Sequence, residues 1–155
     1  MYKTRWAKEE EFNVILDYWY EMAYEMGESD EVPKPDQQRY EEVRSLFMKE
    51  SKLGNLMFRV AVDKDDNIVA CAGGLLRKEY AYPLSDEQSL FGWIISVYTS
   101  KNHRNNRLAN KLVDEVCLWL KEKGVQKVRL WASSPGRRVY EKLGFKNMMY
   151  MEKEL

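Results

Sequence analysis

The chain has 155 residues and a mass of 18.5 kDa, the size of one domain running over 1–155. Its 25 Lys+Arg balance 25 Asp+Glu, which argues against a chain-wide basic surface and so against nucleic acid as a partner. Hydrophobic residues make up 45% and aromatics 13%, enough to bury a core and too many for a disordered chain. The longest apolar run, Ile68 to Leu76, falls well short of the roughly 18 residues that cross a bilayer. The opening Met1-Tyr2-Lys3-Thr4-Arg5-Trp6 lacks a signal-peptide core, so a soluble, cytoplasmic protein with no membrane partner is expected.

A short strand is expected at Tyr2 to Trp6. Phe12, Ile15, Leu16, Trp19, Met22, Ala23 and Met26 then recur at helical spacing, and Gly27 predicts the stop. Glu28 to Pro35 is an acidic loop with two prolines. A second helix is predicted over Asp36 to Leu53, ending before Gly54. Leu56 to Val62 and Ile68 to Leu76 read as an antiparallel hairpin around Asp63-Lys64-Asp65-Asp66-Asn67. Gly73-Gly74 inside the second strand signals a bulge or a close backbone approach. Leu90 to Thr99 is a third strong strand. Leu108, Leu112, Val116 and Leu120 line one face of a helix that Gly124 ends. Val125 to Ala132 predicts a strand, Pro135 to Leu143 a short helix, and Phe145 to Met151 a last strand. The order specifies an α+β domain with a strand–helix–strand unit from Leu90 to Ala132. The edge at Phe145 to Met151 would either pair across a homodimer or stay unpaired.

Two cysteines, Cys71 and Cys117, and one histidine, His103, lack metal-ligand spacing, so no metal is expected. Both cysteines read as small buried hydrophobes, and a Cys/His nucleophile cannot be assembled from this set.

Chemistry concentrates in two segments. From Val97-Tyr98-Thr99 the third strand runs into Ser100-Lys101-Asn102-His103-Arg104-Asn105-Asn106-Arg107, and this basic turn opens the long helix at Leu108-Ala109. Unpaired N–H groups and the helix dipole make such a turn a phosphate site; a merely solubilising turn is the plainer reading. The second segment is Ser133-Ser134-Pro135-Gly136-Arg137-Arg138-Val139-Tyr140-Glu141-Lys142-Leu143-Gly144-Phe145.

Tyr140-Glu141-Lys142-Leu143-Gly144-Phe145 resembles the late signature of the GNAT superfamily of acyl-CoA-dependent N-acetyltransferases. Arg104-Asn105-Asn106-Arg107-Leu108-Ala109 matches that family's Arg/Gln-x-x-Gly-x-Gly/Ala turn, and the order of elements agrees over essentially the whole chain. The resemblance implies a GNAT-like acyl-CoA N-acyltransferase fold. Its mostly antiparallel mixed sheet would have about six to seven strands flanked by helices, with a splayed parallel strand pair holding CoA. Three positions depart from the pattern: Arg107 replaces the first motif glycine, Ser133 the helical asparagine and Gly136 the alanine.

From the resemblance, acetyl-CoA is the expected cosubstrate, its pantetheine arm bonded to the backbone around Val97, Tyr98 and Thr99. Its pyrophosphate would lie on the N–H groups of Arg104, Asn105, Asn106, Arg107, Leu108 and Ala109, and Ser133 would donate to the pantetheine side. A backbone N–H near Val97 or Tyr98 would polarise the thioester carbonyl. An amine attacks the acetyl carbon directly, and Tyr140 is the candidate acid for the departing thiolate, its alternative being a core anchor. The strand Leu90 to Thr99 contains no carboxylate. Glu25, Glu28, Asp30, Glu31, Asp86 and Glu87 are therefore candidates for a base or plain surface charges, and none is assigned.

The acceptor is expected to be a small-molecule amine, in a pocket built from the first two helices, the loop Glu28 to Pro35 and the loop Arg77 to Ser89. Trp19, Tyr24, Tyr80, Tyr82 and Trp93 are its candidate lining, with Trp19 and Trp93 alternatively core. Two other readings remain: a non-catalytic acyl-CoA-binding module, which Arg107 favours, and an acetyltransferase for a macromolecule such as a protein amine or aminoacyl-tRNA. The last would use Lys101, Arg104, Arg107, Arg137 and Arg138 as a basic surface.

Overall fold

The computed structural model describes residues 1–79, 90–148 and 151–155. A five-stranded sheet runs β1 (Lys3–Trp6), β2 (Leu56–Val62), β3 (Ile68–Lys78), β4 (Leu90–Thr99) and β5 (Val128–Arg129), in that spatial order. The first three pairings are antiparallel and β4–β5 is parallel. This is the mixed, mostly antiparallel sheet expected, with five strands among the described residues in place of six to seven.

Alternation along the strands sorts the core into two layers. Leu56, Phe58, Val60, Val62, Cys71 and Tyr98 face α1 (Phe12–Ser29) and α2 (Gln37–Lys52), which bring Phe12, Ile15, Leu16, Val43 and Phe47. Asp36 caps α2 by accepting from the Arg39 N–H at 2.8 Å. Ala61, Ala70, Ala72 and Ile94 face α3 (Leu108–Glu122), which buries Leu108, Leu112, Val113, Val116 and Leu120. The floor under α3 is made of small residues because the helix lies close: a Cβ at Gly74 would stand 2.6 Å from Val116 Cγ1, and one at Gly92 2.9 Å from Leu120 Cδ1. No helix among the described residues is long and apolar enough to cross a membrane.

Three expectations about element boundaries need correction. Gly27 does not stop α1, which continues to Ser29; its missing side chain instead lets the Val32 carbonyl fold back, 2.8 Å from where a Cβ would be. The strand expected over Val125 to Ala132 shrinks to Val128–Arg129. Val125 N–H closes the turn after α3 on the Leu120 carbonyl, and Ser133 already belongs to the cap of α4 (Arg137–Lys142). The strand expected over Phe145 to Met151 is not formed at residues 145–148 or 151; Met149 and Tyr150 lie outside the described residues. Phe145 instead ends α4, its N–H on the Tyr140 carbonyl at 3.0 Å and its ring edge-on to Tyr140.

Candidate active site

Two irregularities in β4 create a cleft. Cys71 pairs with Tyr98 and Gly73 with Ile95, so β4 carries one extra residue between them, a bulge. Ser96 sits at its centre with φ 51°, buried, its carbonyl accepting from the Cys71 thiol at 3.2 Å. A left-handed conformation at a residue other than glycine is strained and marks a place where the chain is forced to turn. On its other side β4 pairs with β5 only through Gly92–Val128 and Trp93–Arg129. Beyond Trp93 the two strands part, and among the described residues nothing pairs with that edge of Ile94 to Thr99.

The closed end of this splay is pinned from β3. Glu79 accepts from Trp93 Nε1 at 3.3 Å and from Arg129 Nη1 at 2.8 Å, and Trp93 stacks on Trp131. Trp93 therefore fastens the closed end of the parallel pair.

The open end is a cleft of about 520 Å³ with three walls. One is the end of β4 with the turn into α3: Val97, Tyr98, Thr99, His103, Arg104, Asn105, Arg107, Leu108, Ala109 and Asn110. The second is the C-terminal half of α1, through Met22, Glu25, Met26 and Ser29. The third is Ser133, Pro135, Gly136, Val139 and Tyr140.

The turn before α3 has the shape of an anion cradle. Asn105 (φ 65°) and Arg107 (φ 56°, ψ 24°) are both left-handed, a local pattern that turns successive N–H groups to one side ahead of a 15-residue helix. Asn106 is the one expected cofactor residue that does not line the cleft; its Nδ2 donates to the His103 and Arg104 carbonyls and holds the turn in shape. Arg107 thus occupies the conformation a glycine takes freely, and the turn forms despite its side chain.

The Arg104 side chain crosses to α1. Its Nη2 donates to both oxygens of Glu25 at 3.0 Å and its Nε to the Thr99 carbonyl at 2.9 Å. Tyr98 Oη donates to Glu21 Oε2 at 2.8 Å and Glu25 Oε1 at 3.0 Å; burial, then these carboxylates, push the phenol well above its ordinary pKa.

On the third wall Ser133 Oγ accepts from the Gly136 N–H at 3.3 Å. Gly136 has little room for the alanine of the family pattern, since a Cβ would lie 3.1 Å from Ser133 Oγ and 3.3 Å from the Tyr140 ring. Tyr140 is half-buried among the α3-side core, and burial pushes its phenol up to about 12. Its hydroxyl has no hydrogen-bond partner among the described residues. Ser134 reaches across to the end of α1, donating from Oγ to Asp30 Oδ1 at 2.5 Å and from N–H to Oδ2 at 3.3 Å; both bonds hold Asp30 below the usual carboxylate range.

Of the residues expected at the cofactor site, Val97, Tyr98, Thr99, Arg104, Asn105, Arg107, Leu108, Ala109 and Ser133 line this cleft together with Tyr140. The acceptor-side expectations fare differently. Trp19 packs against the α1/α2 core, Tyr24 lies on the surface under Lys34, and no residue of α2 reaches the lining. Tyr80, Tyr82, Asp86 and Glu87 fall outside the described residues. Met22 and Met26 were missed because they continue the apolar stripe of α1 and read as core. Among the described residues Glu25 is the carboxylate in the lining, and Arg104 occupies both of its oxygens.

The model of the acetyltransferase (GNAT) family matches residues 13–145. A comparison with curated proteins finds no match. Among solved structures, a predicted acetyltransferase with acetyl-CoA from Clostridium acetobutylicum superposes with a TM-score of 0.88, at 22% identity over 99% of this chain and 96% of that one. A GCN5-related N-acetyltransferase from Ralstonia eutropha JMP134 gives 0.86, at 17% identity over 100% and 99%. Glucosamine-6-phosphate N-acetyltransferase from Arabidopsis thaliana gives 0.66, at 20% over 100% and 98%. At these identities the structures attest the fold, and the family model supplies the membership: the chain belongs to the GNAT family of acetyltransferases.

Proposed function

We propose that the protein transfers an acetyl group from acetyl-CoA to a small primary amine by direct attack within a ternary complex. The observation that carries this reading is one cleft in which an unpaired strand edge, an anion-cradling helix turn and a protonated tyrosine converge. The family and the acetyl-CoA named for the Clostridium structure support it.

In this reading the pantetheine arm bonds the free backbone edge at Val97 and Thr99 as an added strand would. The diphosphate takes the N–H groups from Arg104 to Ala109, with Asn106 bracing the turn. Ser133 donates its hydroxyl proton to the pantetheine side while its oxygen accepts from the Gly136 N–H. A backbone N–H beside the Ser96 bulge, near Val97 or Tyr98, polarises the thioester carbonyl and opposes its developing negative charge. The amine nitrogen bonds to the acetyl carbon as the C–S bond breaks, and Tyr140 gives its proton to the leaving thiolate. Its raised pKa keeps it a donor throughout the neutral range. No protein nucleophile is needed. The proton released by the amine leaves through water.

A non-catalytic acyl-CoA module is the second reading, and Arg107 favours it. Calorimetric titration of acetyl-CoA, then an amine panel scored by free-thiol release, separates the two. Micromolar binding with thiol release supports the enzyme, and binding without release across the panel supports the module. No binding up to millimolar acetyl-CoA sinks both.

A further inference from the structure

One ion pair joins the turn that opens α3 to the helix facing it across the cleft. Arg104 clasps both oxygens of Glu25, is fixed along its stem by the Thr99 carbonyl, and lies with Cζ 5.4 Å from the Tyr98 ring centre. Glu25 is held from a second side by the Tyr98 hydroxyl, and Lys101 Nζ stands 4.0 Å from it. One guanidinium of the anion cradle is therefore committed to α1.

The pair is 40% exposed at Arg104 and 34% at Glu25, so water reaches it and its strength is modest. An arginine–phosphate contact is among the stronger charge-assisted bonds, and a diphosphate on the turn would compete for the same guanidinium. Glu25 acts against that anion twice, by holding Arg104 and by its own negative charge. We propose that Glu25 is a positioning residue that sets acetyl-CoA affinity by holding Arg104 against α1, so that the diphosphate must exchange for Glu25 at Arg104. The inference rests on the acetyl-CoA reading above.

The test is titration of acetyl-CoA, and of S-acetylpantetheine, which lacks the diphosphate, into four proteins: wild type, Glu25→Gln, Arg104→Gln and the double variant. Glu25→Gln keeps an acceptor for Tyr98 and should bind acetyl-CoA about three- to tenfold tighter, with a steeper salt dependence and unchanged S-acetylpantetheine binding. Arg104→Gln should weaken acetyl-CoA alone, and Glu25→Gln should gain less affinity in the Arg104→Gln background than in the wild type, because only its own charge is then left to act; an equal gain in both backgrounds overturns the proposal. A glutamate that merely braces α1 has the opposite signature: Glu25→Gln would weaken both ligands, and that result overturns the proposal, as does unchanged affinity. If Glu25→Gln does not fold, Arg104→Gln decides, equal loss for both ligands being the overturning outcome. A wild type that binds neither ligand overturns the acetyl-CoA reading itself.

Discussion

Arg107 stands at φ 56° and ψ 24° immediately before α3, in the left-handed region where a Cβ crowds the next carbonyl. Holding a residue other than glycine there costs about 1 kcal/mol. Its cation also lies at the positive end of the helix dipole, an unfavourable placement of about 0.5 kcal/mol at an exposed site. Replacing it by glycine relieves both, while the freer unfolded chain takes back about 0.5 kcal/mol. Arg107→Gly should therefore stabilise the protein by about 1 kcal/mol, which for a chain of this size raises Tm by about 2–4 °C. Arg107→Ala keeps the Cβ and its strain and loses only the charge, so its Tm should rise by less than about 2 °C. Melting curves of the three proteins at low and high salt separate the terms, because salt screens the dipole contribution and leaves the steric one. A glycine variant that melts at or below the wild type would refute the reasoning, and would mean that the Arg107 side chain makes a stabilising contact larger than its strain.

Tyr140→Phe should reduce turnover by about a hundredfold or more while acetyl-CoA affinity stays within about twofold, measured by thiol release and calorimetry; equal loss in both would make Tyr140 a structural anchor. The Tyr140 phenol titrates at about 12 in the fold and at about 10 unfolded, so above the lower value only the unfolded chain gives up this proton. Its contribution to stability is intact below that point and falls as pH rises toward about 12, and its removal in Tyr140→Phe should flatten the alkaline limb of a Tm–pH curve. At the acid end Arg5 clasps Glu11 through two bonds of 2.7 and 2.9 Å and holds its carboxyl down at about 2, against an ordinary 4.5. That stabilisation is complete above the ordinary value and is lost as pH falls through it toward about 2, so Glu11→Gln should lower Tm at pH 7 and not at pH 2. Gly73→Ala would put a Cβ 2.7 Å from Phe58 Cε1 and 2.8 Å from Ile95 Cγ1, which should cost about 1–3 kcal/mol in a denaturant melt; an unchanged midpoint would show that this layer can give.

The turn into α3 was legible because its signal is local. A β-branched strand, a run of basic and amide residues and a helix stripe beginning at Leu108 lie in direct succession, so Val97 to Thr99, His103 to Asn105 and Arg107 to Ala109 land on one wall. Tyr140 was singled out through the resemblance of Tyr140 to Phe145 to the family signature, and the fold places it on the third wall of the cleft. The strand boundaries near the end of the chain were not. Val125 and Phe145 have strand-forming side chains, but each N–H is claimed by a helix end, Leu120 in one case and Tyr140 in the other. Local pattern cannot show that competition.

The sequence by itself determined the elements from the first helix to α3 and the run of residues that forms the turn before α3, because periodicity and turn chemistry are properties of neighbouring residues. The tertiary structure alone decided that Met22, Glu25 and Met26 wall the cleft, and that Arg104 turns to Glu25, 79 positions away. It also decided that β4 and β5 part after Trp93, since the parting depends on a bulge opposite Ala72 and on Glu79 fastening the other end. These are contacts between segments distant in the chain, and their partners are set by how helices and sheet pack, which no local pattern encodes.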